Sequence, residues 1–217
     1  MATITAQGII NKAKILLQDT TSIRWPETEL LDWLNDGQRE IASLRPDVSN
    51  KTALHTLVAG TKQALAAEAA ALIEVRRNMG VNGTTPGDAI RKVPTHILDS
   101  QLPTWHSMTA SAVVKHYCYD PRTPRLFYVF PPSLGTTQIE VAYDCAPADV
   151  TIGAVIGIDD EYANAILEYV LFRAYSKDHE EIGNVQLATA HRVSFDALLG
   201  AKAAVDASQV SAVSVRG

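Results

Sequence analysis

The spacing of apolar residues changes twice along this chain, and that change constrains the fold more than any other sequence feature. Leu30, Leu34 and Ile41 recur at helical spacing, and helical spacing returns from Asp159 onward. Between these regions lie short apolar runs separated by clusters of Gly, Pro, Asn and Thr, which are typical of strands and turns. The order helices, strands, helices predicts an α+β fold in which a β module is inserted into a helical core.

Two helices are predicted at the N-terminus. Apolar residues recur at helical spacing over residues 9–17, and Thr3 or Thr5 can cap the start of this helix. A second helix is predicted to open at Pro26, because proline suits the first helical position, where its missing N–H has no intrahelical acceptor. Together these segments predict an N-terminal helical hairpin over residues 1–46.

The β-rich module is predicted over residues 47–150. Short runs around Gly60–Thr61 indicate a tight hairpin. The stretch HYCYDPRTPRLFYVFPP predicts strands over residues 113–119 and 125–130, joined by a turn of Asp, Pro, Arg, Thr and Pro. A third strand over residues 138–145 completes an antiparallel meander. Apolar residues occur on both faces of these strands, so both faces are predicted to be partly covered.

Two further helices are predicted over residues 151–207, from DDEYANAILEYVLFRAYSKD and NVQLATAHRVSFDALLGAKAAVDA. The last segment, residues 208–217, is SQVSAVSVRG. It is small, polar and uncapped, so it is predicted to be flexible until something binds it. The predicted fold is therefore a four-helix core of two N-terminal and two C-terminal helices, with an inserted antiparallel β module and a flexible C-terminal tail.

Composition excludes some classes of partner. The chain has 217 residues, is 47% hydrophobic and 20% charged, and carries a net charge of −5. These values are ordinary for a folded globular protein, and an acidic chain is not expected to bind DNA or an anionic membrane surface. No apolar run approaches the roughly 20 residues that span a bilayer, so no membrane contact is predicted.

The sequence contains no recognisable catalytic, cofactor-binding or metal-binding pattern. It has no glycine-rich nucleotide fingerprint and no pair of histidines at the spacing of a helical zinc site. Cys118 and Cys145 lack an evident set of further ligands, and Asp159–Glu161 are explained by the dipole at a helix start. His191 and Ser194 lie three residues apart without an oxyanion loop. We expect no enzyme activity, cofactor or metal.

The aromatic stretch leaves three interpretations open from the residues alone. It is a stacking platform for nucleic acid, the wall of an active site, or the hairpin of a structural module. Sheets that stack RNA bases carry basic residues around their aromatic side chains. Here only Lys115, Arg122 and Arg125 lie nearby, in an acidic chain.

The order of several short motifs narrows the choice. These motifs are RWPETELLDWLNDGQREIA, LVAGTKQAL followed by LIEVRRNMGVNGTTPG, ILDSQLPTWH, and HYCYDPRTPRLFYVFPP before a last strand and two helices. In this order they resemble the head-to-tail adaptor (connector) proteins of tailed bacteriophages over residues 3–204. The chain departs from that pattern at ALAAEAAAL, where a proline turn is more usual; we interpret this stretch as a short turn followed by a strand.

The resemblance implies a structural protein of the virion neck, present in the host cytoplasm during assembly. Such adaptors are expected to form a ring, with twelve copies, beneath the portal protein. The ring would join the portal to a tail or nozzle protein and continue the channel for genome ejection, without binding the passing DNA specifically. Two alternatives stay open: another neck or tail-completion structural protein, and a small intracellular enzyme with an unrecognised site.

Two sets of candidate contact residues follow from this interpretation. The turn of the aromatic hairpin is predicted to face the tail, through Asp120, Arg122, Thr123 and Arg125. The C-terminal segment cannot build its own core, and its β-branched residues suit an extended strand added to a sheet edge or laid in a groove. It is predicted to dock to the portal through Val205, Val210, Val213, Val215 and Arg216.

Overall fold

The computed structural model describes residues 2–177 and 182–214, with side chains except those of 182 and 205–214. The chain divides into two compact units, one formed by Met1–Val48 with Pro147–Gly217 and the other by Ser49–Ala146. The described residues contain five α-helices: α1 (Ala6–Leu16), α2 (Glu27–Leu44), α3 (Thr95–Gln101), α4 (Ala163–Lys177) and α5 (Ile182–Ser214). They contain seven strands: β1 (Asn50–Thr56), β2 (Ala59–Ala64), β3 (Ala69–Asn78), β4 (Arg91–Lys92), β5 (His116–Tyr119), β6 (Leu126–Leu134) and β7 (Gln138–Cys145).

The first unit is helical and is built from α1, α2, α4 and α5. Thr5 caps α1 by accepting a hydrogen bond from the Gly8 N–H at 3.2 Å, which confirms one of the two predicted caps. Apolar stripes from all four helices meet in one core, where each fully buried Leu, Ile or Phe side chain contributes about 1.5–3 kcal/mol. The largest core side chains are Ile9, Ile10, Leu30, Leu34, Ile41, Ile166 and Phe195.

Buried amides fasten the irregular segment before α4 onto this core. The Asn35 side chain donates to the Val150 carbonyl at 3.2 Å and accepts from the Val150 N–H at 2.9 Å. One turn along α2, the Gln38 side chain accepts from the Gly157 N–H at 2.5 Å. These bonds satisfy backbone groups that would otherwise be buried without partners.

The second unit is a sandwich of two sheets. The first sheet has the order β1-β7-β3 and the second has the order β2-β6-β5-β4. All pairs are antiparallel except β4 with β5, which is parallel. Facing side chains of the two sheets form one core. Its members include Leu57, Leu72, Val75, Tyr117, Phe127, Val129, Ile139 and Val141.

The fold is α+β as predicted, but the predicted layout, with all helices in a four-helix core and one inserted antiparallel β module, is wrong. The helices are interspersed with strands, because α3 lies between β4 and β5 in the strand-rich unit. The strands form two sheets and include a parallel pair rather than one antiparallel module. In addition, α5 continues through residues 208–214, which were predicted to be part of a flexible tail.

Two predictions of strand pairing are wrong because consecutive strands belong to different sheets. The runs around Gly60–Thr61 form β1 and β2, which do not pair with each other. The Gln63 side chain holds the connecting chain, since it accepts from the Val58 N–H at 2.8 Å and donates to the Val58 carbonyl at 2.9 Å. Likewise β6 pairs with β5 but not with β7. The predicted hairpin of β5 and β6 is confirmed, while the meander is not.

Candidate interaction surfaces

The segment Val93–Met108, which contains α3, covers the outer aromatic face of the second sheet. Trp105 is completely buried there, with its ring centroid 6.3 Å from the centroids of both Tyr128 and Phe130. Its Nε1–H donates to Asp99 at 2.9 Å. We call residues 93–108 the cover segment. Both faces of the hairpin strands are therefore covered, as predicted, and the aromatic side chains are packing residues.

The structure brings the four predicted tail-facing residues together in the turn between β5 and β6. Asp120 organises this turn, because its carboxylate accepts from the Arg122 N–H at 3.0 Å and its carbonyl accepts from the Thr123 N–H at 2.9 Å. Hydrogen bonds from the Arg122 side chain and then from its N–H lower the pKa of Asp120. The side chains of Arg122 and Thr123 are exposed, and both donate hydrogen bonds to Asp120.

Arg125 has a different role from the other three residues of the turn. Its guanidinium donates to the carbonyls of Ala66 and Ala67 at 3.3 and 3.2 Å. It therefore fastens the β2–β3 turn to the β5–β6 turn and serves the fold. Both turns lie at the end of the sandwich that contains Asn50 and Cys145, where the chain enters and leaves this unit.

Exposed apolar side chains lie at the opposite end of the sandwich. We call Leu54, Val58, Val81 and Leu134 the distal patch; Val81 is 74% exposed. The loop after β3 is held to this end because the Gln138 side chain donates to the Val81 carbonyl at 3.1 Å. The sequence gives no clear signal for this patch, because its members lie in strands and loops that are far apart in the chain.

The predicted portal-docking residues lie on or beyond α5. Val205, Val210 and Val213 fall within its helical backbone, although their side chains are not among those described. Val215 and Arg216 lie outside the described residues. Among the side chains described on α5, Leu199 is the last buried one, and the helix continues for about four turns beyond it.

One exposed face of α5 carries no charge over about five turns. We call it the open face; its residues recur every three or four positions and are Gln186, Ala190, Val193, Ala197, Gly200 and Ala204. The charged residues of the described part of α5 lie elsewhere on the helix. Arg192 pairs with Glu40 at 3.2 Å, and Lys202 pairs with Glu161 at 3.1 Å. Surface helices usually carry charge on the outward face, so an uncharged face of this length favours contact with a partner.

Beside the open face, α4 and α5 enclose an apolar groove of about 360 Å³. We call it the α4–α5 groove. It is lined by Phe172, Ser176, Val185, Ala188, Thr189, Arg192 and Val193. Among the described residues that line it, only Arg192 is charged, and the guanidinium lies over the rings of Phe172 and Phe195, 5.7 and 5.0 Å from their centroids. The floor of the groove is therefore apolar.

The loop between α1 and α2 presents an apolar side chain on a rigid backbone. Ile23 is 83% exposed. The Asp19 carboxylate accepts from three consecutive N–H groups, those of Ile23, Arg24 and Trp25, at 2.8–3.0 Å. These bonds, the one from Trp25 first, lower the pKa of Asp19. The sequence analysis did not single out Ile23; an isolated isoleucine in the polar stretch QDTTSIRW is the signal that could have pointed to it.

The polar groups considered for chemistry occupy separate environments. In the part of the chain that the structure describes, no three His, Cys, Asp or Glu side chains are arranged to hold a metal ion. Cys118 and Cys145 are buried free thiols. His191 Nδ1 lies 2.8 Å from a Glu168 oxygen, while Ser194 is exposed. No described helix combines the length and apolarity that a membrane span requires.

Uncovered apolar surfaces of this extent are typical of proteins that bind other proteins. Residues 4–216 match the family model described as SU10 adaptor protein. The chain therefore belongs to the SU10 adaptor protein family, a family of phage head-to-tail adaptors, and the resemblance drawn from its motifs is confirmed. A search of curated proteins finds no match.

Proposed function

We propose that this phage adaptor forms a ring in the virion neck that joins the portal to the tail and continues the DNA channel. The observation that carries the proposal is the family match over residues 4–216. Two compact units support it, because a ring subunit must contact its neighbours, the portal and the tail through separate surfaces. The open face, the distal patch and the β5–β6 turn are three such surfaces.

The charge of the chain suits a channel through which DNA slides. Each copy carries −5, so a ring of twelve copies would carry about −60. The negative charge repels the DNA phosphates, and acidic side chains do not displace the counterions that surround the duplex. We propose that the passing genome is guided rather than held. In the absence of the portal, copies of this chain are expected to associate weakly. The portal would favour ring formation because it raises the local concentration of neighbouring copies.

The portal contact is proposed for the C-terminal part of α5. Val205, Val210 and Val213 lie in the stretch that extends beyond the last described buried side chain. Because the backbone there is helical to Ser214, we propose a helix laid in a groove of the portal instead of an added strand. Val215 and Arg216, which follow directly in the sequence, belong to the same proposed contact.

The tail contact is proposed for the strand-rich unit. Asp120, Arg122 and Thr123 offer a charged, ordered turn at one end of the sandwich. The distal patch offers apolar surface at the other end. Arg125 contributes to this proposed contact indirectly, because its hydrogen bonds hold the turn in place.

Electron microscopy of the protein mixed with candidate portal particles tests the proposal. A closed ring of this chain on the portal is the expected result. Deletion of Ser208–Gly217 should abolish ring formation on the portal while leaving the thermal unfolding of the shortened chain nearly unchanged. A matched control, Arg122→Ala with Thr123→Ala, should still form the ring. A deletion variant that binds the portal as tightly as the full chain would show that another surface docks it.

A further inference from the structure

We propose that Ile23 of one copy inserts into the α4–α5 groove of a neighbouring copy, so that these two surfaces make the contact between subunits. The inference rests on the proposed ring and assigns its self-contact to named residues. It follows from an exposed apolar side chain on a rigid loop and an unfilled apolar groove in the same unit.

The loop is built to hold Ile23 outward. Gln18 and Ser22 have φ angles of +55° and +56°, a left-handed conformation that non-glycine residues rarely adopt without a compensating cause. Asp19 supplies that cause through its three bonds to consecutive N–H groups. Because the backbone is already ordered, a partner that buries Ile23 does not need to order the loop first.

The groove of the same chain cannot receive this side chain. Trp25, two residues after Ile23, is buried against α4, and its Nε1–H donates to the Ala174 carbonyl at 3.3 Å. That anchor leaves Ile23 83% exposed within its own chain. The groove, with Phe172 and Val185 in its lining, is then available to a second copy.

The proposed ring requires a contact between copies, so a second copy is the occupant that we assign to the groove. The loop and the groove are different surfaces of one unit, so a contact between them is heterologous, and repetition of a heterologous contact gives a closed ring or a filament. The side chains just before Ile23 are the uncharged Thr20, Thr21 and Ser22, and the Arg24 guanidinium, which follows Ile23, lies over the Trp25 ring, 5.0 Å from its centroid. Val193 lines the groove and is also part of the open face, so the contact can continue along α5.

Cysteine cross-linking across copies tests this contact directly. We would combine Ile23→Cys and Val193→Cys in one chain and oxidise it at increasing protein concentration. A heterologous contact predicts a ladder of covalent oligomers, because every copy carries both halves of the contact. Each single variant should give at most dimers. The wild-type chain is the control for Cys118 and Cys145, which are buried.

A matched pair of variants tests the geometry. Val155 is an exposed apolar residue of the same unit, so Ile23→Cys with Val155→Cys should give at least about tenfold less ladder than the pair with Val193→Cys. Ile23→Asp should weaken self-association by about tenfold or more, whereas Ile23→Leu should retain it. Equal ladders from both cysteine pairs, or no ladder at any concentration, would overturn the inference.

The outcomes separate this inference from the proposed function. If Ile23→Asp still forms a closed ring on portal particles in electron micrographs, the ring stands and its subunit contact lies elsewhere. If the wild-type chain forms no ring on the portal but the Ile23–Val193 ladder appears, the self-contact stands and the proposed role in the neck fails.

Discussion

The two units differ in whether an apolar surface is covered by the chain itself. In the strand-rich unit, the aromatic outer face of the second sheet is covered by the chain's own cover segment, with Trp105 fully buried. In the helical unit, the open face of α5 has no cover among the described residues, and Val193 is 62% exposed. Apolar side chains occur on both surfaces, so their presence alone does not distinguish the two.

The difference separates surface used for folding from surface available for assembly. A covered face contributes to the stability of the isolated chain, because its side chains leave water when the chain folds. An open face contributes only when a partner arrives. Substitutions on the two faces should therefore affect different measurements, unfolding in the first case and association in the second.

Removing the centre of the cover should have the largest effect. Trp105→Ala is expected to lower the free energy of unfolding by about 3–5 kcal/mol, since it leaves a cavity against Tyr128 and Phe130. Urea unfolding followed by circular dichroism measures this loss. A loss below about 1 kcal/mol would mean that the cover is dispensable and that the contrast between the two faces is wrong.

Removing the side chain that joins the chain segments on either side of the cover segment should have the next largest effect on stability. The Asn78 side chain donates to the carbonyls of Asp88 and Val114 at 3.0 and 2.8 Å and accepts from the Val114 N–H at 3.0 Å. It thus ties together the chain segments before and after the cover segment. Asn78→Ala is expected to cost about 2–3 kcal/mol, because buried backbone groups lose their partners.

Hydrogen exchange locates the effect of Asn78→Ala. Amide protons of β5 and β6, which lie beneath the cover, should exchange faster, while those of α2 and α4 should keep their protection. Uniformly faster exchange in both units would contradict a local role for Asn78.

Acid should weaken a contact of the helical unit. Asp160 accepts from the Thr3 hydroxyl and from the N–H groups of Thr3 and Ile4 at 2.5–2.9 Å, and these bonds lower the pKa of Asp160 below 3.8. The stabilisation is therefore present above the unfolded pKa and is lost as pH falls through the lower, folded pKa. Asp160→Asn should reduce the fall in melting temperature between neutral pH and about pH 3. An unchanged pH profile in this variant would assign the acid sensitivity to other carboxylates.

A charge on the open face should have the smallest effect on stability. Val193→Asp is expected to change the free energy of unfolding by no more than about 0.5 kcal/mol, because the side chain is already largely in water. Leu98→Asp is its matched variant on the covered face and should be strongly destabilising, since Leu98 is buried. Chemical denaturation measures the free energy of unfolding of both variants. Similar losses of stability in the two variants would show that the covered and open faces do not differ.

Sequence predicts the elements whose structure is decided locally. The stripe of Leu30 and Leu34 and the cap at Thr5 are read from spacing and side-chain chemistry, and both are found. Strand pairing was not predictable in the same way, because β1 and β2 pair with strands about 60–95 residues distant in the chain. Helix α3 was missed because seven residues after a proline carry too few apolar positions to show a period.

The candidate contacts show the same limit. The turn chemistry of Asp120 and Thr123 was visible in the sequence, because aspartate and proline act on neighbouring backbone. The bonds of Arg125 to Ala66 and Ala67 join residues nearly 60 positions apart, so its structural role could not be read from spacing. Ile23 became a candidate only when burial showed that no other part of the described chain covers it.

The division of the chain into units also determines the order in which the two units can fold during synthesis. The strand-rich unit is continuous in the chain, whereas the helical unit needs residues from both ends. As synthesis proceeds from the N-terminus, α1 and α2 emerge first but must wait for α4 to complete their core. During that interval the strand-rich unit can fold, and the apolar faces of α1 and α2 remain open to chaperones or to premature association.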